Sequence, residues 1–499
     1  MREIRALQIG HEDWSRKYSI WKEVIFTFTK YLDEAPKKAY NIVFIDKILD
    51  KDEIDILYKN VDAYCLFVSG HVMMTDEMKE LFDRKRGKIL HSDKLGDFLA
   101  NDIKNFYSGP YGEKYNIGRL TISQNFRGSV KWNGNYALEL NGYYGEDLTQ
   151  IAFFRYTLPL FEDMALDLWL EYDKDDSVEL AMKVTQFYNG SVSDIQNTWI
   201  FNEKQLQDTI ILDNEKQSGR FFVSFMAKGA GKLSIRALHD RHSRRGYGAF
   251  FPGGEIYHTS EREELFAYFN PGDMKPPLNV YFSGYKTREG FEGNYLMQGF
   301  GSPYLLIAEP RLEGGAFYMG SKEYEQLYCD IIHKYMDELG FSSDEVIFAG
   351  LSMGTYGALY YGCDISPHAI ILGKPLASIG DVARNEKLSR PGGFPTSLDV
   401  LRMHSGGSGP SSVKRLNDRF WNKFAAADWS RTKFIVSYMI EDDYDGTAYE
   451  TMVKNLHSEG TEIYGKGIHG RHNDDTSGIV AWFISQYKQV LLEDFDRRI

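Results

Sequence analysis

One stretch of the chain, residues 345–360, limits the possible folds more than any other. An apolar run there ends abruptly in Gly-Leu-Ser-Met-Gly at residues 350–354, and residues compatible with a helix follow. The pattern predicts a strand, a tight turn and a helix, because a Cβ atom at Gly350 or Gly354 would crowd the strand against the helix. Such a turn holds the Ser352 hydroxyl out at the carboxyl end of a sheet. Ser352 is therefore a candidate nucleophile, and the alternative is a plain glycine-rich turn.

The composition of the 499-residue chain argues against several classes of function. Lys and Arg number 58 against 71 Asp and Glu, a net charge of −13, so nucleic acid is not an expected partner. Cys65, Cys329 and Cys363 form neither a disulfide framework nor a C-x-x-C metal site, which favours a reducing compartment. We expect no signal peptide, because residues 1–10 carry charges where its apolar core would lie, and no apolar run is long enough for a transmembrane segment. We expect a cytoplasmic protein, or one attached peripherally at the inner face of the membrane.

The length and the changing sequence pattern predict three domains and a fold class of α/β plus β. Residues 1–112, with a helical pattern over 14–32, predict a small βαβ module with a parallel sheet. Residues 113–240 predict an antiparallel β-sandwich like a carbohydrate-binding module. Residues 241–499 alternate strands and helices and predict a doubly wound sheet of the α/β-hydrolase fold.

Four aromatic residues of the predicted sandwich are candidate platforms for sugar rings. They are Trp132, Tyr143, Tyr144 and Trp199. Core packing is the simpler interpretation for each of them, because aromatic side chains are common in sheets.

Candidate partners for Ser352 follow two later strands of the predicted hydrolase sheet. In such a sheet the site lies at the carboxyl ends of the strands. Asp442 follows the next-to-last strand and His472 follows the last, so the chain order is nucleophile, acid, histidine. The histidine would take the serine proton, and the carboxylate would fix the histidine tautomer. The sequence predicts a Ser-Asp-His catalytic triad.

Neighbouring residues compete for two of these three positions. Glu441 and Asp443 flank Asp442, and the choice among the three carboxylates stays open, with Asp442 at the usual offset beyond the strand. His469 is the alternative to His472, which is favoured because it begins the final helix whereas His469 lies in a glycine-containing loop.

Acyl transfer also needs backbone donors for a tetrahedral oxyanion. One predicted donor is the N–H group of Met353, directly after the nucleophile. The other is expected from the loop at residues 284–293, where Tyr285 is the best candidate, although the glycines there could serve only a tight turn. The H-E-x-x-H motif is absent, so no metal site is predicted.

Three groups of residues together resemble a known family. They are Phe-Ala-Gly-Leu-Ser-Met-Gly-Thr-Tyr-Gly-Ala at 348–358, Tyr-Phe-Ser-Gly-Tyr at 281–285 with Glu-Gly-Phe-Glu-Gly at 289–293, and Gly-Arg-His-Asn-Asp at 470–474. The chain resembles, over its whole length, the second of the three accessory secretory proteins of the accessory Sec system in Gram-positive cocci. The resemblance carries the family's nucleophile, acid and histidine onto Ser352, Asp442 and His472. An aspartate at 442 is a departure if the family pattern is glutamate.

The resemblance implies an O-acetyltransferase that modifies N-acetylglucosamine on a serine-rich repeat adhesin before its export. It implies partnership with the other two accessory secretory proteins and makes the accessory Sec motor ATPase a further candidate partner. No permanently bound cofactor is expected. The acetyl donor is not identified, with acetyl-CoA as a candidate.

Two competing functions remain open. A carbohydrate esterase would use the same triad. A non-catalytic export or targeting scaffold is suggested by the roughly half of the chain that carries no catalytic motif.

Overall fold

The computed structural model describes residues 3–36, 38–160, 164–191, 193–213, 219–456 and 461–498. The outer ends of the first and last predicted domains, at residues 1, 2 and 499, lie outside these ranges. The boundaries between the predicted domains stay predictions. The strands are β1 (Ile4–Gly10), β2 (Val24–Thr29), β3 (Ile42–Asp46), β4 (Leu66–Ser69), β5 (Lys88–Leu90), β6 (Gly112–Asn116), β7 (Leu120–Ile122), β8 (Arg127–Asn133), β9 (Ala137–Phe154), β10 (Leu158–Leu160), β11 (Ala165–Lys174), β12 (Val178–Tyr188), β13 (Ile195–Asn202), β14 (Ile210–Asp213), β15 (Gly219–His242), β16 (Glu255–His258), β17 (Glu264–Asn270), β18 (Leu278–Phe282), β19 (Tyr304–Ala308), β20 (Val346–Leu351), β21 (Ala369–Gly373), β22 (Lys433–Met439) and β23 (Glu462–Ile468).

The helices lie mainly in the second half of the chain. They are α1 (Lys51–Asn60), α2 (Asp76–Arg84), α3 (Ser92–Asp97), α4 (Asn294–Phe300), α5 (Lys322–Leu339), α6 (Met353–Ile365), α7 (Ile379–Leu388), α8 (Thr396–Ser405), α9 (Pro410–Ala426), α10 (Ala448–Asn455) and α11 (Thr476–Glu493). Short helical turns lie at Trp14–Arg16, Phe98–Asp102, Ile103–Phe106, Ile117–Arg119, Gln205–Gln207 and Ser343–Glu345. Within the described ranges, no helix is long and apolar enough to cross a membrane.

The N-terminal sheet is parallel, with the strand order β2-β1-β3-β4-β5. The helix predicted over residues 14–32 is wrong: this segment contains only the short turn Trp14–Arg16 and then strand β2. The residues of β2 are mostly β-branched or aromatic, and they pair with β1 from Ile4 to Ile9. Pairing to a neighbouring strand therefore outweighs the helical spacing of apolar residues.

The middle of the chain forms an antiparallel sheet of ten strands. Strand β15 pairs with β6, β9, β10, β11 and β12, so all strands belong to one continuous, bent sheet rather than to two separate ones. Register shifts near Phe225 and Gly229 interrupt its pairing with β9, and such bulges bend a strand. Two apolar segments, at 220–225 and 232–236, thus lie in one long strand that continues through the glycines between them.

The C-terminal sheet has the order β16-β17-β19-β18-β20-β21-β22-β23. From β19 to β23 neighbouring strands are parallel, whereas β16 and β17 are antiparallel additions that the sequence analysis missed. Val280 and Phe282 of β18 pack with α5 and α6, and Tyr281 packs on the other face with α4 and α11. Helices therefore cover both faces, an arrangement of the α/β-hydrolase kind, and the helices α7 to α9 lie between β21 and β22.

A buried arginine joins the end of the N-terminal module to the C-terminal part of the chain. Arg244, only 2% exposed, follows β15. Its guanidinium donates to the carbonyl oxygens of Asn105 at 2.8 Å, Tyr107 at 3.1 Å and Phe250 at 2.8 Å. These carbonyl groups come from segments on both sides of the arginine in the chain. One side chain therefore provides hydrogen bonds that the buried backbone of both segments needs.

We expect Arg244→Met to lower the stability of the protein by at least about 3 kcal/mol, because several buried carbonyl groups lose their donor at about 1–3 kcal/mol each. The matched control is Arg245→Met. Arg245 is partly exposed and pairs with Asp213 at 2.6 Å, a contact worth less than about 1 kcal/mol. Urea unfolding of both variants measures the difference, and equal losses would contradict the role assigned to Arg244.

Candidate active site

The turn at Ser352, between β20 and α6, has a strained backbone. Ser352 has φ 53° and ψ −118°, in a region that non-glycine residues adopt at a cost of about 1–3 kcal/mol. A Cβ atom at Gly350 would lie 2.5 Å from the carbonyl carbon of Gly354, and one at Gly354 would lie 2.0 Å from the Phe282 oxygen. The predicted need for glycine at both positions agrees with these contacts.

Ser352, His472 and Asp442 form one hydrogen-bonded chain. The Ser352 Oγ atom lies 2.9 Å from His472 Nε2, and His472 Nδ1 lies 2.8 Å from Asp442 Oδ2. The side chains of His472 and Asp442 are only 1% and 5% exposed. The structure thus brings together three residues that are far apart in the sequence and that follow β20, β22 and β23.

The two carboxylates beside Asp442 have other contacts. Glu441 accepts the backbone N–H of Gly470 at 2.6 Å, which lowers its pKa, and its carboxylate lies 2.9 Å from His469 Nδ1. The His469 side chain is 84% exposed. Glu441 and His469 therefore pair with each other at the surface, and neither is hydrogen-bonded to Ser352.

Asp443 supports the backbone of the histidine loop. It accepts the backbone N–H of His472 at 3.1 Å and forms an ion pair with Arg390. The ion pair connects this loop to the segment that follows α7. Asp443 thus contacts the main chain of His472, while Asp442 contacts its ring.

Tyr444 contacts both the acid and the histidine, and the sequence analysis missed it. Its backbone N–H donates to Asp442 Oδ1 at 2.8 Å. Its ring stacks on the His472 ring with centroids 4.4 Å apart, and its hydroxyl donates to the Gly393 oxygen at 2.7 Å. A tyrosine two residues beyond an acid has no distinctive sequence signal, because its role depends on the path of the loop.

The two predicted oxyanion donors come from the start of α6 and from the loop after β18. Met353 is the first residue of α6, so its N–H has no partner within the helix. The other loop passes close by, since a Cβ atom at Gly284 would lie 3.1 Å from the Leu351 oxygen. Gly284 donates its N–H to Glu292 at 2.7 Å, whereas the Tyr285 N–H has no acceptor among the described residues. Of these two amides in the loop, only that of Tyr285 is therefore available.

A buried ionic cluster fixes this loop to the antiparallel sheet. Glu289, on the loop, accepts from Arg241 Nε at 2.5 Å and also contacts His239. Arg241 donates further to Glu264 of β17, at 2.6 Å from Nη1. Burial alone would lower the pKa of His239, but the carboxylates of Glu289 and Glu171 raise it to about 9. The antiparallel sheet therefore helps to position the loop that carries Tyr285.

Two buried titratable groups lie in or beside the loop that carries Asp442. Burial raises the pKa of Asp445 to about 6, although its carboxylate accepts the N–H groups of Ala377 at 2.8 Å and Ser378 at 2.6 Å. Burial lowers the pKa of Lys374, whose Nζ donates to Thr476 at 3.1 Å. In the part of the chain that the structure describes, no cluster of His, Cys, Asp or Glu is arranged to hold a metal ion.

The four candidate sugar platforms differ in their accessibility. Tyr144 is buried, and its hydroxyl donates to the Leu140 oxygen at 3.1 Å. Trp199 is half-buried and lies against Phe221. Trp132 and Tyr143 are 45% and 55% exposed, so only these two present substantial aromatic surface to a ligand.

Comparisons with known proteins agree along the whole chain. The family model of the second accessory secretory protein, described as the accessory Sec system GspB-transporter, matches residues 4–497. The second accessory secretory protein of Streptococcus gordonii is 38% identical over 513 residues, covering 99% of both chains. The corresponding protein of Staphylococcus aureus is 39% identical over 511 residues, covering 99% of this chain and 98% of the relative.

A solved structure has the same overall fold. It is a chain of the Glycosylation Associate Protein (Gap123) complex from Streptococcus agalactiae. The Streptococcus agalactiae chain is 36% identical to the protein described here, with a TM-score of 0.90. The match covers 100% of our protein and 99% of the Streptococcus agalactiae chain. The similarity therefore includes all three sheets.

We expect Gly354→Ala to destabilise the protein strongly, because the added Cβ atom would lie 2.0 Å from the Phe282 oxygen in the neighbouring strand. The control is Gly299→Ala in α4, where a Cβ atom meets nothing within 4 Å. Alanine in a helix is favoured by roughly 0.5–1 kcal/mol, so this control should raise the melting temperature slightly. A Gly354→Ala protein that melts at the wild-type temperature would contradict the close contact.

Proposed function

The chain belongs to the family of the second accessory secretory protein of the accessory Sec system, and from this premise we propose that it is a serine-dependent O-acetyltransferase. Its acceptor is N-acetylglucosamine on a serine-rich repeat adhesin. The observation that carries the proposal is the hydrogen-bonded chain from Ser352 through His472 to Asp442. This arrangement has the geometry with which a serine hydroxyl is activated for acyl transfer.

The first half-reaction loads an acetyl group onto the enzyme. His472 Nε2 takes the hydroxyl proton of Ser352 while the serine Oγ attacks the acetyl carbonyl carbon. The bond from that carbon to the donor breaks, and the leaving group departs with the proton from His472. Asp442 holds the Nδ1–H tautomer and stabilises the imidazolium. Acetyl-CoA is the candidate donor, and no permanently bound cofactor is needed.

The second half-reaction transfers the acetyl group to the sugar. A sugar hydroxyl gives its proton to His472 Nε2 while its oxygen attacks the acetyl-serine carbonyl. The Ser352 Oγ atom leaves and recovers that proton. In both steps the backbone N–H groups of Met353 and Tyr285 stabilise the negative oxygen. These roles for the two amides are part of the proposal.

A carbohydrate esterase would use the same residues, with water in place of the sugar. The burial of His472 beneath the Tyr444 ring does not separate the two reactions, because water and a sugar hydroxyl must reach the same Nε2 atom; what favours transfer is a sugar bound next to the acetyl-serine. A sugar held close to the acetyl-serine can then react faster than water. We therefore place the esterase second.

We further propose that the protein works in the cytoplasm, partly at the inner face of the membrane, with the other two accessory secretory proteins. The full-length similarity to a chain of the Gap123 complex supports such an assembly. The glycosylated adhesin and the accessory Sec motor ATPase would be further partners. The export role uses surfaces outside the triad, so both functions can coexist.

Ser352→Ala should abolish acetylation of the adhesin glycan, because no other group can carry the acetyl in this mechanism. Mass spectrometry of the glycan made with each protein measures this, and co-purification with the two partner proteins shows whether assembly is intact. An unchanged glycan mass would refute catalysis and favour the scaffold alternative. If the wild-type protein removes acetyl groups from the glycan and adds none, the result would favour the esterase.

Asp442→Asn should lower kcat by at least about 100-fold, because the histidine loses its orienting carboxylate. Glu441→Gln is the matched control, since Glu441 contacts the exposed His469 rather than His472. Its kcat should stay within about two-fold of wild type. The rate of acetyl transfer to a glycopeptide measures both, and a larger loss for Glu441→Gln would contradict the assignment of the acid.

A further inference from the structure

A polar cleft lies between the antiparallel sheet and the C-terminal sheet with its helices. Asn116, Tyr136 and Arg236 line it on one side, and Glu313 and Thr396 on the other. The cleft has a volume of about 50 Å³. This volume suits the hydroxyl or acetamido groups of a sugar that enters edge-on, rather than a whole sugar ring.

We propose that this cleft binds a neutral sugar of the acceptor glycan next to the one that is acetylated. The inference rests on the proposed function for the identity of the ligand. It adds a binding site that is separate from the residues of the triad.

The charges that line the cleft favour a neutral ligand. Three basic side chains, Lys114, Arg236 and Arg311, face three acidic ones, Glu171, Glu313 and Asp399. Arg311 is already bonded to Glu309 at 2.8 Å, and Glu171 to His239 at 2.6 Å. The lining therefore has no excess of positive charge that would select a phosphate-bearing molecule such as the acetyl donor.

Several polar groups of the cleft have capacity for a ligand. Among the described residues, the Tyr136 hydroxyl has no hydrogen-bond partner. The Asn116 side chain accepts the Gly118 N–H at 3.1 Å through its oxygen, and its own N–H groups have no acceptor among those residues. Within the described ranges, Arg236 makes a single hydrogen bond, of 3.3 Å, to the Glu261 oxygen. Donors in different directions with an aromatic ring suit a sugar, which presents several hydroxyl groups and an apolar face.

A row of aromatic rings connects the cleft to the candidate active site. The Tyr444 ring, stacked on His472, lies 5.8 Å from Phe394, and Phe394 lies 5.6 Å from Tyr285. Tyr285 is 38% exposed. A Cβ atom at Gly314 would lie 2.1 Å from the Tyr285 ring, so this ring adjoins the cleft wall formed by residues 312 and 313. The partly exposed Tyr285 ring therefore lies between the candidate active site and the cleft, and in this proposal the glycan passes over it.

The test measures binding rather than catalysis, in a Ser352→Ala background. The probe is a serine-rich peptide carrying N-acetylglucosamine extended by a second hexose, and the reference is the same peptide without sugar. Arg236→Met combined with Tyr136→Phe should raise the Kd for the glycopeptide about ten-fold, because two hydrogen bonds to the sugar are lost. The control is Arg220→Met, an exposed arginine of the same strand that lies outside the cleft. Its Kd should stay within about two-fold of the background protein.

A change below two-fold in the double variant, an equal loss in the control, or equally tight binding of the peptide without sugar would each overturn the inference. If the double variant melts early, Asn116→Asp replaces it, because aspartate keeps the oxygen that accepts from Gly118 and removes the N–H donors. Absence of acetyl transfer by the wild-type protein, with cleft-dependent glycopeptide binding intact, would refute the proposed function and leave the cleft assignment standing.

Discussion

The close contact between the Ser352 turn and strand β18 is the constraint on which the rest of the candidate site depends. Gly354 lies so near the Phe282 oxygen that no side chain fits, and this contact holds the turn in its strained conformation. The Ser352 N–H donates to Gly373 of β21 at 2.8 Å, so strands on both sides of β20 hold the turn. Because β18, β20 and β21 are parallel neighbours, the serine lies at the carboxyl edge of the sheet. The loops that carry Asp442 and His472 begin at the same edge.

The ionic cluster around Glu289 extends that arrangement to the antiparallel sheet. Its members are almost entirely buried, and removing charges from water costs several kcal/mol per ion, so the cluster adds little to stability compared with apolar packing. It does restrict the geometry, since Arg241 contacts both Glu289 on the loop and Glu264 on β17. The ten-stranded antiparallel sheet, which is distinct from the C-terminal sheet, thus contributes to the shape of the candidate site. The chain is more than a hydrolase domain with appended modules.

The sequence predicts the parts of the structure that follow from local pattern and strand order. Ser352, Asp442 and His472 could be selected because each follows a strand of a parallel sheet, and the family model that matches residues 4–497 confirms the resemblance to the family. The helix predicted over residues 14–32 is wrong because the pairing of β2 with β1 is not visible locally. The length of β15 and the contacts of Tyr444 are likewise not visible locally, since both depend on residues distant in the sequence.

The three consecutive carboxylates after β22 show why side-chain roles are harder to predict than positions. Sequence places all three at the same end of the strand and leaves them nearly equivalent. In the structure Asp442 contacts the His472 ring, Asp443 contacts the His472 backbone, and Glu441 contacts His469 at the surface. The backbone N–H groups of Tyr444 and Asp445 both donate to Asp442, so the turn of the loop decides which carboxylate faces the histidine. Loop geometry, rather than residue type, therefore determines which carboxylate contacts the histidine ring.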